Sequence, residues 1–384
     1  MALPRAAAPG SGDRVLLVAP HPDDEAIALG GLLHEAGRSG AEVRIAFLTD
    51  GDGFPACAPL RGWLPDRSAM RALGRLRREE AVRSAAHLGI PPERLTFLGL
   101  PDRGLAPLWI RCWGSSTPYT SPYTGSTIWG ATVLAQVEEL LRTARPTHLY
   151  FPDALDDHPD HWAAYCFVRA ALARLEPSAA PCWRTYLVHR GVWPRPLGDF
   201  PTRSLTPPPE LAFLRLKWES FPLTGPALAA KRAAVLAHRS QQRLAGRFLR
   251  SFLRADELLI APRDRLACGD EAPEPVRDRP GRALLPGADI RSLQVDRHAA
   301  GSIVRVRLRG AVVPGLRYRL YVKPLSGAIG EMETRQVAMQ PRDGELKGVL
   351  PEEADAAGGA VLLGAEVWLG PVLLDRTAWH LWRW

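Results

Sequence analysis

Cysteine is scarce in this sequence, and the few cysteines stand far apart. The 384 residues include five, with no C-x-x-C pair among them: Cys57, Cys112, Cys166, Cys182 and Cys268. An odd number without regular spacing excludes a disulfide scaffold. We therefore expect a reducing, cytoplasmic setting.

Long apolar runs are absent as well. No stretch of 18 apolar residues occurs, which excludes a membrane-spanning helix of the usual kind. Residues 1–13 are rich in Ala, Pro and Gly and lack an apolar segment of signal-peptide length. We interpret them as a flexible tail and expect a soluble protein.

Lysine is the third scarcity. Four of the 49 basic residues are lysine, which leaves 45 arginines, and the formal net charge is +8. The arginines are scattered, and no block of five or six like charges occurs, which is typical of a solvated surface. We expect no nucleic-acid partner, whereas a homo-oligomer is compatible with the sequence.

Strands and helices alternate through the first two thirds of the chain. Arg14–Ala19 is a short apolar run with β-branched residues, as in buried parallel strands. The predicted strands lie at 14–19, 43–48, 95–100, 147–151 and 183–188, and the predicted helices at 26–36, 68–88, 128–143, from 161 onward and at 226–242. This alternation predicts a three-layer, Rossmann-like α/β fold with a mostly parallel sheet and helices on both faces.

The pattern changes after residue 262. Residues 263–286 are rich in Pro, Arg, Asp and Gly and are predicted to be a linker. Beyond them, Val304, Val306 and Leu308 alternate with arginines at a period of two. The sequence therefore predicts an α/β domain over 14–262 and a small antiparallel β-sandwich over 287–384.

Two groups of histidine and aspartate follow predicted strands. His21–Glu25 (HPDDE) comes after the first strand, and Asp156–His161 (DDHPDH) comes after the strand at 147–151. Open α/β sheets bind ligands beyond the carboxyl ends of their strands, so both groups are expected at one edge. Because imidazole and carboxylate are good Zn²⁺ ligands, the pair predicts a metal site. His189, after the strand at 183–188, is expected beside it as a substrate-binding residue.

Short motifs over about residues 14–260 carry a family resemblance. They are Ala19-Pro-His-Pro-Asp-Asp-Glu25 with Gly30-Gly31, Thr49-Asp-Gly51, Arg77-x-x-Glu80, Gly99-Leu-Pro-Asp102, His158-Pro-Asp-His161, Lys231 and Ser240-Gln241. In these motifs the sequence resembles the zinc-dependent N-deacetylases of the LmbE/PIG-L type. The C-terminal module lies outside the resemblance.

The resemblance implies one Zn²⁺ per chain, bound by His21, Asp24 and His161. Asp23 would be the general base, and a protonated His158 would stabilise the oxyanion. Three protein ligands leave a fourth position for a water, whose pKa zinc lowers toward about 7. Whether Asp23 or His158 protonates the leaving amine stays open.

Other polar residues near the strand ends are candidates for supporting roles. Asp160 either orients a site histidine or is an ordinary acid at a helix N-terminus. Asp50 and Asp52 follow the second strand and either hold sugar hydroxyls or end the strand. Arg77 either pairs with Glu80 on its helix or reaches the substrate.

An aromatic segment lies at 105–130. It contains Trp109, Trp113, Tyr119, Tyr123 and Trp129. Either it covers the substrate as a lid, or its aromatic side chains pin a long loop to the domain.

The leading hypothesis from the sequence is a zinc-dependent hydrolase of a non-peptide amide. It would remove the acetyl group from an N-acetylglucosamine-containing small molecule or glycoconjugate. The alternatives are an amidase acting on a glucosamine-containing thiol conjugate and a catalytically silent carbohydrate-binding protein.

Overall fold

The structure is a computed structural model that describes residues 3–57, 66–214, 216–262, 266–275, 284–298, 301–342, 345–351 and 360–383. The chain divides into two compact units. The first comprises Met1–Ala171, Leu175–Pro207 and Lys217–Pro262, and the second Leu172–Arg174, Pro208–Leu216 and Arg263–Trp384. The main boundary between the units lies after Pro262.

The first unit is built on a sheet whose described strands number seven. In chain order, the described strands of the unit are β1 Arg14–Ala19, β2 Glu42–Thr49, β3 Leu95–Leu100, β4 Tyr119–Thr120, β5 Thr127–Ile128, β6 His148–Pro152, β7 Cys182–Tyr186, β8 Trp218–Pro222 and β9 Asp256–Ile260. Of these, β4 and β5 form a separate two-stranded ribbon, and the other seven form the sheet. The strand order in the sheet is β3-β2-β1-β6-β7-β9-β8. The five neighbouring strands β3, β2, β1, β6 and β7 are parallel. At the edge beyond β7, β9 pairs antiparallel with β7, and β8 pairs antiparallel with β9. The predicted mostly parallel sheet is confirmed.

Helices connect these strands. They are α1 Asp24–Arg38, α2 Arg67–His87, α3 Leu105–Ile110, α4 Gly130–Ala144, α5 Pro159–Arg174, α6 Gly225–Ala237 and α7 Arg239–Arg250. The single helix predicted at 226–242 is wrong, because the chain leaves the helical conformation at His238 (φ −78°, ψ 61°) and starts α7 there. The His238 ring is fully buried and turned toward Glu25, which fixes this break.

The glycine pair and the lysine of the sequence motifs lie at a buried ion pair. Helix α1 is interrupted at Leu29 (φ −135°, ψ 24°), so the N–H groups of Gly31 and Leu32 turn to the Glu257 carboxylate at 2.8 Å each. Lys231 Nζ donates to the same carboxylate at 2.6 Å. Both charged groups are almost completely buried, so their pairing is needed to offset desolvation.

The second unit contains two antiparallel sheets. One runs β10-β11-β12-β16-β15; in the other, β14-β13-β17-β18 are neighbours and β19 also pairs with β17. Their bounds are β10 Glu271–Pro273, β11 Ile290–His298, β12 Gly301–Leu308, β13 Arg317–Pro324, β14 Arg335–Val337, β15 Gln340–Arg342, β16 Glu345–Val349, β17 Ala360–Leu369, β18 Val372–Arg376 and β19 His380–Arg383. Val304 and Val306 of one sheet share a buried cluster with Leu320 and Leu363 of the other, as in a sandwich.

Two predicted connecting segments take part in strand pairing. Strand β10 lies inside the predicted linker 263–286 and pairs with β11. Near the N-terminus, the N–H of Ala6 donates to the carbonyl of Ser220, and Pro4 accepts from the N–H of Ser220. This part of the predicted tail is thus paired with β8. Among the described residues, no helix combines the length and the apolar character needed to cross a membrane.

Candidate active site

The two His/Asp groups meet because β1 and β6 are parallel neighbours. Leu17 pairs with Tyr150, so the two strands end at the same edge of the sheet. After β1 the chain turns through His21 into α1, and after β6 it turns into α5, which begins at Pro159. Each turn delivers its polar side chains to one place, as the sequence predicts.

Asp24 lies between the two histidines of the predicted ligand set. Its Oδ2 is 3.4 Å from His21 Nδ1 and 3.2 Å from His161 Nε2. Zinc bonds of about 2.0–2.1 Å arranged as a tetrahedron put neighbouring ligand atoms about 3.3 Å apart. The two measured separations therefore suit donors that share one ion.

The donors are buried, and one of them lacks a good hydrogen bond. Asp24 and His161 are 1% and 0% exposed, and His21 is 7% exposed. Both ring nitrogens of His161 lack a hydrogen bond of good geometry, although carboxylate oxygens lie close by. Buried polar atoms rarely stay unsatisfied, so this ring fits a metal ligand.

Three overlapping groups of described residues bring one possible ligand atom each within 4.8 Å of one another. They are His21, His158 and His161; Asp24, His161 and His189; and His21, Asp102 and Asp160. The predicted set of His21, Asp24 and His161 is not one of these groups, but each of its members belongs to at least one. An imidazole and carboxylate donor set suits Zn²⁺, so the residues present fit this ion.

Further carboxylates lie close to the ring nitrogens of His21 and His161 that face away from Asp24. His21 Nε2 lies 3.2 Å from Asp102 Oδ1 and 3.4 Å from Asp160 Oδ2. His161 Nδ1 lies 3.1 Å from Asp156 Oδ2. Burial by itself would lower the pKa of His161, because it disfavours the charged ring. The carboxylates of Asp156 and Asp24 outweigh this effect and raise the pKa to about 10. Carboxylates in these positions fix the orientation of ligand histidines.

Asp160 is completely buried and serves more than one partner. Its Oδ2 accepts from the N–H of Arg103 at 2.6 Å, and its Oδ1 accepts from the N–H of Leu105 at 3.1 Å. Together with its contact to His21, these bonds favour the orienting role over that of an ordinary helix-terminal acid.

Asp156 belongs to the second predicted cluster and Asp102 to one of the family motifs, but the sequence alone assigns neither a role. Asp156 accepts from the backbone N–H groups of His158, Val188 and His189 at 2.9–3.0 Å, which ties the turn after β6 to the segment after β7. Asp102 follows β3, and the N–H of Gly53 donates to it at 2.7 Å. Both residues follow strands of the parallel sheet, so the strand-end rule that selected the two clusters could have assigned them to the site.

Asp23 has a backbone conformation that L-residues rarely adopt. Its φ is 129°, and its N–H donates to Glu25 Oε2 at 2.9 Å. Its Oδ2 accepts from Arg77 Nη2 at 3.2 Å. Burial, opposed by Arg77 and assisted by Asp24, raises the pKa of Asp23 to about 6. Such a carboxylate suits proton transfer near neutral pH.

A buried network supports the backbone of Asp23. Glu25 Oε1 accepts from Ser84 Oγ at 2.6 Å and lies 2.8 Å from His238 Nε2. The other oxygen of Glu25 receives the N–H of Asp23. Because Glu25, Ser84 and His238 are all 0% exposed, the network links α2 and the α6–α7 break to the strained residue.

His158 is neutral in this arrangement. It precedes α5, and its Nδ1 accepts from the N–H of Asp160 at 3.2 Å, which leaves the proton on Nε2. Burial, together with His21, His161 and His189, lowers its pKa to about 2. The sequence leads to the expectation of a protonated His158; the structure instead supports a neutral ring that donates from Nε2.

A cleft opens above these groups. Its walls combine charged residues with the apolar side chains of several elements: His21, Asp23, Asp24, Ile27, Phe54, Arg77, Asp102, Arg103, His158, His189, Gln241, Ala245, Phe248 and Leu249. The His189 ring stacks on Phe248 with a centroid distance of 5.5 Å and lies 4.8 Å from the His161 ring. His189 is therefore beside the site, as the sequence predicts, and burial lowers its pKa to about 4.

Arg77 lies in the cleft wall and does not pair with Glu80, which is one of the two alternatives that the sequence leaves open. It is 4% exposed and donates to the carbonyls of Gly51 at 2.9 Å and Pro22 at 2.6 Å, besides contacting Asp23. Glu80 instead accepts from the N–H and the hydroxyl of Ser240 at 2.8 and 2.6 Å. Arg77 thus holds the two turns that carry Asp23 and Gly51.

Asp50 and Asp52, predicted to bind substrate, do not line the cleft. Asp50 Oδ1 accepts from Arg78 Nε at 2.6 Å, so this carboxylate is paired on the other side of its turn. Burial and the neighbouring charges of Asp102 and Asp50 raise the pKa of Asp52 to about 6. The sequence places both residues correctly at a strand end but does not tell which way their side chains turn.

The aromatic segment at 105–130 is partly pinned to the unit. Trp109 and Trp113 are 0% and 2% exposed, and their rings lie 5.0 and 6.3 Å from the ring of Phe167. Trp129 is 36% exposed. The two buried tryptophans support the packing alternative, and none of the five aromatic residues lines the cleft.

Comparison with known proteins identifies the family of the chain. The family model described as PIG-L: GlcNAc-PI de-N-acetylase matches residues 16–172. A 1D-myo-inositol 2-acetamido-2-deoxy-alpha-D-glucopyranoside deacetylase of Nakamurella multipartita is 31% identical over 255 residues, which cover 60% of this chain and 80% of that protein. The chain belongs to the PIG-L family.

Other PIG-L relatives match over shorter stretches. A deacetylase of the same description from Corynebacterium kroppenstedtii is 32% identical, over 42% of this chain and 41% of its own. The 2'-N-acetylparomamine deacetylase of Streptomyces fradiae is 33% identical, over 41% of this chain and 52% of its own. The chain thus spans about half the length of these curated relatives.

Proposed function

We propose that this PIG-L protein is a metal-dependent hydrolase that removes the acetyl group from a small N-acetylglucosamine-containing molecule. The observation that carries the proposal is the Asp24 carboxylate, placed 3.4 and 3.2 Å from nitrogens of His21 and His161 beside the buried acid Asp23. Relatives named as deacetylases of an acetamido-glucopyranoside and of an acetylated paromamine support the substrate class.

In this proposal His21, Asp24 and His161 hold one Zn²⁺ per chain. A zinc ion there would supply Lewis acidity, which polarises an amide carbonyl and lowers the pKa of a water. Asp102 and Asp160 orient His21, and Asp156 orients His161. These contacts keep the two rings in place before any ligand binds.

Asp23 and His158 divide the proton chemistry. The Asp23 carboxylate takes a proton from the attacking water as the new carbon–oxygen bond forms. The neutral His158 donates a hydrogen bond from Nε2 toward the oxygen on which negative charge develops. When the carbon–nitrogen bond breaks, Asp23 returns its proton to the leaving amine. His158 does not supply this proton, because its Nδ1 accepts from the N–H of Asp160 and the ring is therefore neutral.

The test is product analysis with N-acetylglucosaminides and the zinc-loaded full chain. We expect acetate and free amine in equal amounts, and an Asp23→Asn variant that is slower by about 10²- to 10⁴-fold with unchanged zinc content. Leu244→Ala, on the exposed side of α7, is the matched control and is expected to keep full activity.

Other products distinguish the alternatives. Release of a larger acyl product from a glucosamine-containing thiol conjugate, without acetate from any N-acetylglucosaminide, would favour the amidase. Sugar binding without hydrolysis of any amide would favour a carbohydrate-binding protein. An Asp23→Asn variant with full activity would contradict the assigned base. A cytoplasmic location stays a prediction that rests on the scarcity of cysteine.

A further inference from the structure

Helix α7 presents one continuous face to the cleft. Its four lining residues, Gln241, Ala245, Phe248 and Leu249, follow the spacing i, i+4, i+7 and i+8, which puts them on one side of a helix. The other side of α7 is solvated, with Leu244 59% exposed. The polar Gln241 stands at the start of this face, and the three apolar residues follow it.

The direction of α7 along the cleft is set by its contacts. At its start, the ring of His238 contacts Glu25, and Ser240 contacts Glu80, so this end lies beside the network that supports Asp23. Toward its other end, Phe248 stacks on His189. The helix therefore runs from the general base to the far side of the histidine cluster.

The rings and acids of the cleft form a row that runs in the same direction as α7. Asp102 contacts His21; the His21 ring lies 4.7 Å from that of His158; the His158 ring lies 5.2 Å from that of His189; and His189 stacks on Phe248. One end of the row is charged and the other is apolar, with the proposed reacting groups between them.

The charged end is polar because acidic and basic side chains line it. Asp102 and the buried Arg77 belong to it, and Arg103, with its side chain exposed at the cleft wall, adds a further cation. Arg103 is held at φ 61° by the bond from its N–H to Asp160. The apolar end, formed by Ala245, Phe248 and Leu249, offers no comparable donor or acceptor from α7.

We propose that this apolar end is an acyl-binding subsite and that it accepts acyl chains longer than acetyl. The proposal rests on the proposed amide hydrolysis: with the amide between Asp23 and His158, the sugar faces the charged end and the acyl chain runs along α7. From Ala245 to Leu249 the wall extends about 6 Å, at 1.5 Å per residue, which exceeds what one methyl group covers. Glucosamine carrying a three- or four-carbon acyl group fits this length.

The first experiment compares a series of N-acyl glucosamines with acetyl, propionyl, butanoyl and hexanoyl chains. Free amine is measured with the zinc-loaded protein, and binding is measured by calorimetry with the Asp23→Asn variant, which should bind without turnover. Because burying a CH₂ group favours association, we expect kcat/KM and affinity to rise up to about fourfold per added CH₂ as far as butanoyl.

Two variants of α7 should change this series in different ways. Ala245→Leu fills the subsite, so the preference for butanoyl over acetyl should be lost and hexanoyl should be the poorest substrate of the series. Phe248→Ala removes part of the wall, so the gain per CH₂ should fall and hexanoyl should be tolerated better. Leu244→Ala, on the solvated side of the same helix, should leave the series unchanged and so controls for effects on folding.

The outcomes separate the two proposals. If the acyl series binds as expected but no amide is hydrolysed, the proposed function fails and the acyl subsite stands. If acetyl is hydrolysed but affinity and kcat/KM fall from acetyl to butanoyl, the wall contacts another part of the substrate and the acyl subsite is wrong. Equal acyl preference in the wild type, Ala245→Leu and Phe248→Ala, or no binding of any N-acyl glucosamine, would also overturn it.

Discussion

The α/β unit and the β-sandwich use buried histidine in different ways. In the sandwich, His380 Nε2 meets Glu274 Oε1 at 2.5 Å, and the other oxygen of Glu274 accepts from the N–H of Ala378 at 3.3 Å. In the α/β unit, His21 and His161 each have carboxylate oxygens near both ring nitrogens. One arrangement pairs a ring with an acid, whereas the other surrounds each ring with acids.

This difference separates a structural contact from a binding site. A single pair can satisfy its charges within the fold. Around His21 and His161, four buried carboxylates, those of Asp24, Asp102, Asp156 and Asp160, face two rings. All groups of described residues that could hold a metal ion lie in the α/β unit.

Removal of a ring from the surrounded cluster should have the largest effect. His161→Ala deletes a proposed ligand and leaves Asp24 and Asp156 facing each other. We expect loss of stoichiometric zinc and a fall of about 10³-fold or more in turnover. Metal analysis and acetate release measure these two quantities on the same sample, and retention of tightly bound zinc with normal turnover would contradict the ligand assignment.

Removal of an acid from behind a ring should have a smaller effect. Asp156→Asn keeps the shape of the side chain but withdraws the charge behind His161 Nδ1. Zinc affinity should fall about 10- to 100-fold, as for other orienting carboxylates. A chelator competition assay measures it, with Asp50→Asn as the matched control because Asp50 pairs with Arg78 away from the cleft. Equal losses of zinc affinity in Asp156→Asn and Asp50→Asn would contradict the orienting role of Asp156.

Weakening the buried network that supports Asp23 should lower kcat. Glu25→Gln weakens the bonds to Ser84 and His238 that hold the strained backbone in place. We expect kcat to fall about tenfold with little change in KM, because misplacement of a reacting group slows chemistry more than binding. Steady-state kinetics test this expectation, and zinc content should be unchanged. A rise in KM alone would assign Glu25 to substrate binding instead.

Removal of His380, the paired histidine of the sandwich, should have the smallest effect on function. His380→Ala leaves Glu274 buried without its ring partner, so the free energy of unfolding should fall by about 1–3 kcal/mol. Chemical denaturation followed by tryptophan fluorescence measures it. Zinc content and kcat should stay at wild-type values, and a large loss of either would mean that the two kinds of histidine cluster are not distinct in function.

The sequence predicts the parallel part of the fold well because that part obeys simple periodicity. Arg14–Ala19 and Leu95–Leu100 have the predicted bounds, since each is a short apolar run ended by turn residues. Strand β9, Asp256–Ile260, escapes prediction because it begins with two buried acids, Asp256 and Glu257. Glu257 is buried only because Lys231 and two backbone N–H groups from α1 meet it, and a periodic pattern does not contain such distant partners.

The candidate site shows the same limit. The strand-end rule brings His21, Asp24 and His161 together, but it does not separate side chains that turn into the cleft from those that turn away. Asp102 and Asp50 follow neighbouring strands, yet one contacts His21 and the other pairs with Arg78. The orientation depends on the conformation of each turn and on the charges across it, which no local pattern specifies.

The central claim is that the two strand-end clusters form one metal site that is required for hydrolysis. The most direct measurement is elemental analysis of the full chain alongside acetate release from an N-acetylglucosaminide, before chelation, after chelation and after zinc is restored. We predict one zinc per chain, loss of acetate release in the stripped protein and its return with one equivalent of zinc. Undiminished acetate release from protein shown to be free of metal would contradict the account.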